Sequence, residues 1–212
     1  NVTLNIPVGT LTCISGPSGS GKSTLVRECL IPAVRQALSE KKDIPRRVQG
    51  TEHFNRLVVI DQSPIGKTPR STPATATGLL QVLRPLYAQL PLSKQRGYTA
   101  ARFSPNIRGG RCERCQGTGM IEVDMNFLGN VAMPCDACHG QCYNRETLEV
   151  TWKGKSIAQA LALTVDEAAD FFSSLPRAAA ILKSMQDVGL GYLHLNRRAH
   201  TLSGGESQRI KI

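Results

Sequence analysis

Apolar and polar positions alternate from the first residues. Val2, Leu4 and Ile6 are separated by polar neighbours, which predicts a half-buried strand. Pro7 and Gly9 mark a turn, and Leu11-Thr-Cys-Ile-Ser15 reads as a short apolar strand. Thr24 to Ile31 predicts a helix that Pro32 kinks or ends unless the proline falls near a terminus. Residues 39–56 are polar and basic without a period, the pattern of an exposed connection. Leu57-Val-Val-Ile60 is an unbroken apolar run, as in a strand covered on both faces of a parallel sheet. Cys13 and Cys29 lie on the apolar strand and helix, where burial as small hydrophobes is expected. From Thr77, positions Leu79, Leu80, Leu83, Leu86, Tyr87 and Leu90 follow helical spacing, disturbed by Pro85.

Further along, Ile121, Val123, Met125 and Phe127 alternate with polar residues. Leu128-Gly-Asn130 turns the chain and Val131 to Met133 return it, which predicts a β-hairpin. Leu148 to Trp152 and Ser156-Ile157 suggest a strand and short return around Lys153-Gly-Lys155. Thr164-x-x-Glu167 is a capping box that opens a helix, and another helix runs from about Arg177 to near Gly189. Ser203 and Glu206 form a second capping box, leaving the N–H groups of Gly204 and Gly205 at a helix start and free for an anion.

One stretch in this pattern carries chemistry. Gly16-Pro-Ser-Gly-Ser-Gly-Lys22-Ser23 fits the phosphate-loop pattern G-x-x-x-x-G-K-[ST]. Gly16, Gly19 and Gly21 permit the backbone to turn its N–H groups around a phosphate. Lys22 is placed to reach the β- and γ-phosphates, and the Ser23 hydroxyl to complete a Mg²⁺ shell. Ser18, Ser20 and Thr24 complete the candidate ATP-binding set. A chance match in a Gly/Ser loop is the bland account; the strand–loop–helix context favours a bound triphosphate. At the end of the apolar run 57–60, Asp61-Gln62 occupies the edge where open α/β sheets place ligand groups. Gln62 suits Mg²⁺ ligation and positioning of an attacking water, or is a solvated loop residue; spacing alone does not choose.

Seven cysteines in a chain that opens on a strand, without a basic leader, suggest a reducing cytoplasm. Paired Cys-x-x-Cys units are then metal ligands before they are disulfides. Cys112-x-x-Cys115 and Cys135-x-x-Cys138 stand 19 residues apart, the spacing of a four-cysteine Zn²⁺ ribbon clamping the hairpin's base. Such a site is closed and structural. Cys142 and His139 are secondary candidates.

The formal net charge of +10 points to an acidic partner, most often nucleic acid. Lys94, Arg96, Arg102, Arg108, Arg111 and Arg114 fall in a stretch whose one acid is Glu113. Within it, Arg96, Arg102, Arg108 and Arg111 are candidate contacts to DNA phosphates, with a solvated face as the plain alternative. No apolar run approaches the ~20 residues that span a bilayer, so no membrane partner is expected.

Phosphate loop, strand-end Gln62 and Leu202-Ser-Gly-Gly-Glu206 stand in the order of the ATP-binding cassette family, whose signature matches residue for residue. The long insert holding a zinc hairpin resembles the UvrA family of the bacterial excision-repair nuclease. The resemblance rests on Asp61-Gln-Ser-Pro-Ile-Gly-Lys-Thr-Pro-Arg-Ser71, Gly109-Gly-Arg-Cys-Glu-Arg-Cys115, Tyr143-Asn-Arg-Glu-Thr-Leu-Glu-Val150 and Leu202-Ser-Gly-Gly-Glu-Ser-Gln-Arg209. These stretches resemble the second cassette; the short run between Ser23 and Asp61 leaves no room for the partner domain of the first.

The resemblance implies an α/β fold: an incomplete phosphate-loop cassette with an inserted helical and zinc-hairpin signature domain. It implies an ATP-binding core at 1–75, an insert at 76–200 with its hairpin at about 108–145, and a signature helix returning to the core at 201–212. It also implies an ATPase with ATP, Mg²⁺ and Zn²⁺, in which Lys22 and Gln62 serve catalysis and Ser203, Gly204, Gly205 and Glu206 close on ATP. The implied partners are damaged double-stranded DNA, a UvrB-type helicase, a second copy, and a first cassette in the same polypeptide. The family's Mg²⁺-binding Asp, catalytic Glu and switch His do not occur in their place after the signature. The expectation is a fragment that binds nucleotide but turns it over poorly alone. Cys142 departs from the basic residue more usual there. Two other readings are a paralogue conferring resistance to DNA-binding drugs without UvrB, and a zinc-dependent chaperone-type binding module, since Cys112-x-x-Cys-x-Gly-x-Gly119 resembles DnaJ knuckles.

Overall fold

The computed structural model describes residues 2–40, 48–61, 63, 65–66, 68–124 and 130–211. Contacts divide the chain into two compact units, Asn1–Val59 and Ile60–Ile212.

In the first unit a wide π-type turn, Thr24–Leu30, runs directly into helix α1, Ile31–Glu40. Pro32 therefore neither ends nor interrupts the helical path. The proline sits in the first turn of α1, where its missing N–H is tolerated, and the π turn before it relaxes the crowding its ring imposes upstream. Ala33 and Ala37, four apart, are buried on one face. The strands expected at 2–6, 11–15 and 57–60 do not form. Leu11 is 99% exposed, and Val58, Val59 and Ile60 are exposed as well. A strand is held by its neighbours, and the described residues supply no adjoining ladder. Cys13 and Cys29, expected inside, lie exposed.

The second unit holds the hydrophobic core. Thr72 caps α2 (Pro73–Ala76), and Gly78, at φ 79°, turns the chain into α3 (Leu79–Ala88). α3 buries Leu79, Leu80, Leu83 and Tyr87 as its spacing predicts. It also tolerates Pro85, whose helix-breaking cost of about 3 kcal/mol is of the size that one or two fully buried large side chains offset. α4 (Pro91–Gln95) and a 3₁₀ turn at Ala100–Phe103 follow. The hairpin pairs β1 (Met120–Asp124) with β2 (Asn130–Pro134), antiparallel, with Met120 opposite Pro134 and Val123 opposite Val131. The expected hairpin positions 125–129 lie outside the described residues.

Beyond it come α5 (Arg145–Leu148) and the two-residue strands β3 (Thr151–Trp152) and β4 (Lys155–Ser156). α6 (Ile157–Leu161), α7 (Val165–Phe171), α8 (Pro176–Asp187) and α9 (Gly204–Ile210) complete the unit. Leu148, expected in a strand, ends α5 because Asn144 caps that turn through the Thr147 N–H. Val165 and Ala168 of α7, Phe172 just after it, Leu182 and Met185 of α8, and Leu190, Leu193 and Leu195 close the core around α3 and α6. Two buried phenols cross it: Tyr87 donates to the Lys155 carbonyl at 3.0 Å and Tyr143 to the Phe103 carbonyl at 3.2 Å. No helix among the described residues is long and apolar enough to cross a membrane.

Candidate nucleotide and metal sites

In the first unit, the phosphate-loop glycines adopt the backbone their spacing calls for. Gly19 (φ 81°) and Gly21 (φ 83°) occupy the left-handed region. Lys22 folds back over the loop, donating to the Gly16 carbonyl at 2.8 Å, to the Pro17 carbonyl, and to Ser20 Oγ at 3.2 Å. Helical structure begins at Lys22 itself, with the Leu25 N–H bonded to the Gly21 carbonyl at 2.8 Å.

Gln62 lies outside the described residues, but its flanks are held in the second unit. Lys211, just past α9, donates to the Asp61 carboxylate and to the Ser63 carbonyl and hydroxyl, the last two at 2.6 and 2.8 Å. Lys211 first, then Ser63, holds the Asp61 carboxyl well below the usual carboxylate range. No sequence pattern pointed to this clasp between residues 150 apart.

The capping box read at Leu202–Glu206 is formed. Ser203 Oγ accepts from the Glu206 N–H at 3.2 Å, and Glu206 accepts from the Ser203 N–H at 2.7 Å. Glu206 is buried, and Tyr192 donates to its second oxygen at 2.9 Å. The Ser203 N–H chiefly holds its carboxyl below the ordinary value of 4.5. Gly204 and Gly205 are exposed at the start of α9.

The four cysteines of the two knuckles converge. Sγ atoms of Cys112, Cys115, Cys135 and Cys138 all lie within 4.8 Å of one another, and all four residues are buried. Each knuckle turns the same way: the residue after its second cysteine, Gln116 (φ 53°) or His139 (φ 47°), is left-handed and a glycine at φ 81° follows. The flanks are fastened by Cys112 N–H to the Cys142 carbonyl and Cys135 N–H to the Gly119 carbonyl, both 2.9 Å. Sulfurs stand 3.9 Å apart for Cys112–Cys135 and 3.7 Å for Cys115–Cys138. A disulfide would need about 2.05 Å. Thiolates at ~2.3 Å from a tetrahedral Zn²⁺ stand about 3.8 Å apart, so the donor set fits that ion.

Burial pushes the Cys138 thiol up. At Cys115 burial acts the same way, but hydrogen bonds from the Gly119 N–H (3.2 Å), Cys138, the Gly117 N–H and Cys112 together hold that thiol below its ordinary value. Cys142 is outside the four-sulfur cluster, with its thiol pushed up to about 11 by burial.

The basic stretch is less bare than its sequence implies. Arg96 pairs with Glu149 at 2.7 Å, and Arg102 stands 4.0 Å from Glu146 while stacking on Tyr98 at 3.9 Å. Arg111 reaches Glu113 at 3.3 Å and Arg114 reaches Asp136 at 3.5 Å. Arg108 has no ion-pair partner among the described residues. The carboxylates at 146 and 149 come from α5 and the residue after it, so a charge count along the segment could not see them.

These features define a mixed helix-and-strand protein with a four-thiol metal-site candidate set between a phosphate-loop sequence and a capped Leu-Ser-Gly-Gly-Glu helix. No protein-family model matches the chain. It is 52% identical over 215 residues to the UvrABC system protein A of Neisseria meningitidis and, over 216, to that of Haemophilus influenzae. Each alignment takes in 100% of this chain and 23% of the relative. The crystal structure of UvrA2 from Deinococcus radiodurans superposes with a TM-score of 0.82 at 52% identity, covering 92% of this chain and 23% of that one. The resemblance to UvrA thus holds along the whole chain, which spans about 23% of the length of these relatives.

Proposed function

We propose that this chain is the ATP- and zinc-bearing part of the second cassette of a UvrA-type damage sensor in DNA excision repair. The observation that carries the reading is the four-thiol cluster, set between a phosphate loop and a signature helix in a chain 52% identical throughout to UvrABC system protein A. In this reading the fold is an α/β cassette interrupted by the helical and zinc-hairpin insert. Gly16 to Thr24 hold the triphosphate, with Lys22 leaving the loop carbonyls for the β- and γ-phosphates and Ser23 and Gln62 on Mg²⁺. Gly204 and Gly205 offer N–H groups to the γ-phosphate of a facing cassette, and Ser203 and Glu206 keep that helix start intact. Cys112, Cys115, Cys135 and Cys138 hold Zn²⁺, which supplies structural cross-linking of the hairpin's base.

Hydrolysis belongs to the intact protein. Intact, the protein pairs its two cassettes, dimerises, binds damaged duplex DNA and loads a UvrB-type partner. Arg108 is the strongest of the four arginine candidates for DNA phosphate, because Arg96, Arg102 and Arg111 already face carboxylates.

The test has three parts. Zinc analysis of the purified chain should give one equivalent, falling to near zero in Cys115→Ser. ATP affinity should drop by at least about tenfold in Lys22→Ala, the loss of one charge-assisted phosphate contact. In the intact protein, Arg108→Ala should lower the salt dependence of DNA affinity by about one phosphate contact. Damage-dependent recruitment of UvrB separates the repair reading from the drug-resistance paralogue, which would bind DNA without it. Absence of zinc together with indifference to ATP would overturn the reading.

A further inference from the structure

In the second unit, the loop before α2, the cysteine knuckles, α6 and the approach to α9 border a solvent-open cavity of about 420 Å³. Sites for small molecules run from roughly 300 to 1,000 Å³. Leu80, Ala158 and Leu161 give it an apolar side, and Arg70, Arg197 and Arg198 also line it. No aspartate or glutamate does. None of the three arginines makes an ion pair among the described residues.

Each guanidinium is instead steadied by a carbonyl. Arg70 Nε donates to Gln116 O at 3.0 Å, Arg198 Nη1 to Pro69 O at 2.8 Å, and Arg197 Nη2 to Thr201 O at 3.4 Å. With five N–H donors per guanidinium, most of their capacity is unused. The acid whose titration Arg197 influences is Glu206, and that carboxylate is already taken by the Ser203 N–H and the Tyr192 hydroxyl. Three cations around one cavity repel each other until an anion enters.

We propose that this cavity is a phosphate-recognition site distinct from the Gly16–Ser23 loop, taking a phosphate ester whose body is a nucleoside-sized, partly apolar group. Arginine forks match phosphate oxygens two at a time, and the apolar side receives the body. A free mononucleotide and a nucleotide swung out of a strand present the same chemistry. The site is built wholly from residues of the second unit and stands apart from the ATP reading.

The experiment uses the full, zinc-loaded chain carrying Lys22→Ala, which silences the phosphate loop. Thymidine monophosphate and thymidine are titrated by calorimetry. A labelled duplex with one unpaired thymidine and its fully paired counterpart are compared by anisotropy. Thymidine monophosphate should bind and thymidine should bind at least about tenfold more weakly, one charge-assisted contact's worth. Arg197→Ala should weaken the monophosphate by a similar factor and Arg197→Lys should restore part of the loss, with circular dichroism unchanged in both. Competition by the unpaired duplex alone identifies a strand as the source; monophosphate binding that neither duplex disturbs identifies a free nucleotide. The inference is overturned if neither probe binds above its control, or if binding ignores both Arg197 variants.

Discussion

Gly117 has no room for a side chain: an added Cβ would overlap the carbonyl of Pro105, and its φ of 81° is costly for any other residue. Gly117→Ala should therefore destabilise the second unit by about 1–3 kcal/mol, from strain at a left-handed position and displacement of the 105 loop. A lowered melting temperature with the zinc content retained is the expected result.

Glu206 offers a second test at this scale. Its folded carboxyl titrates below 4.5, so the cap's contribution is complete above that value and is lost as pH falls through the lower folded one. Glu206→Gln should flatten the fall in stability that wild type shows by this linkage as pH drops below 4.5. Tyr87→Phe removes a buried donor from the Lys155 carbonyl and should cost about 1 kcal/mol in denaturant unfolding.

Elements with local, self-contained signals were legible in the sequence. Thr164 with Glu167 and Ser203 with Glu206 form the capping boxes their spacing predicts, and the Leu79–Tyr87 face is buried. The hairpin and its clustered thiols also follow from spacing, because two thiols two residues apart can meet a second pair only across a turn. What failed needed partners remote in sequence. The runs at 2–6, 11–15 and 57–60 have strand composition, but composition supplies no ladder. Arg96 and Arg102 read as bare cations because Glu149 and Glu146 reach them only through the fold.

The hairpin element yields its own prediction. The four buried sulfurs converge at the spacing of a tetrahedral cation's donors, so the hairpin's base holds together best around one. Chelation by EDTA should strip amide protection from 112–124 and 130–138 while α3 and α8 keep theirs, because their core is the separate cluster around Leu83 and Leu182. Hydrogen exchange with and without chelator checks this.

At the scale of the whole molecule, the three-residue stretch 69–71 is anchored on two sides. Arg70 holds the carbonyl of Gln116 in a cysteine knuckle, while Pro69 and Ser71 accept from Arg198 and Ala199 ahead of α9. Such a stretch works as a splint. If the knuckle rocks, the ground under α9 has to tilt with it, unless a bond at Arg70 or Arg198 lets go first. Which of those two breaks at lower load decides whether the metal finger and the helix move as one piece or slip past each other.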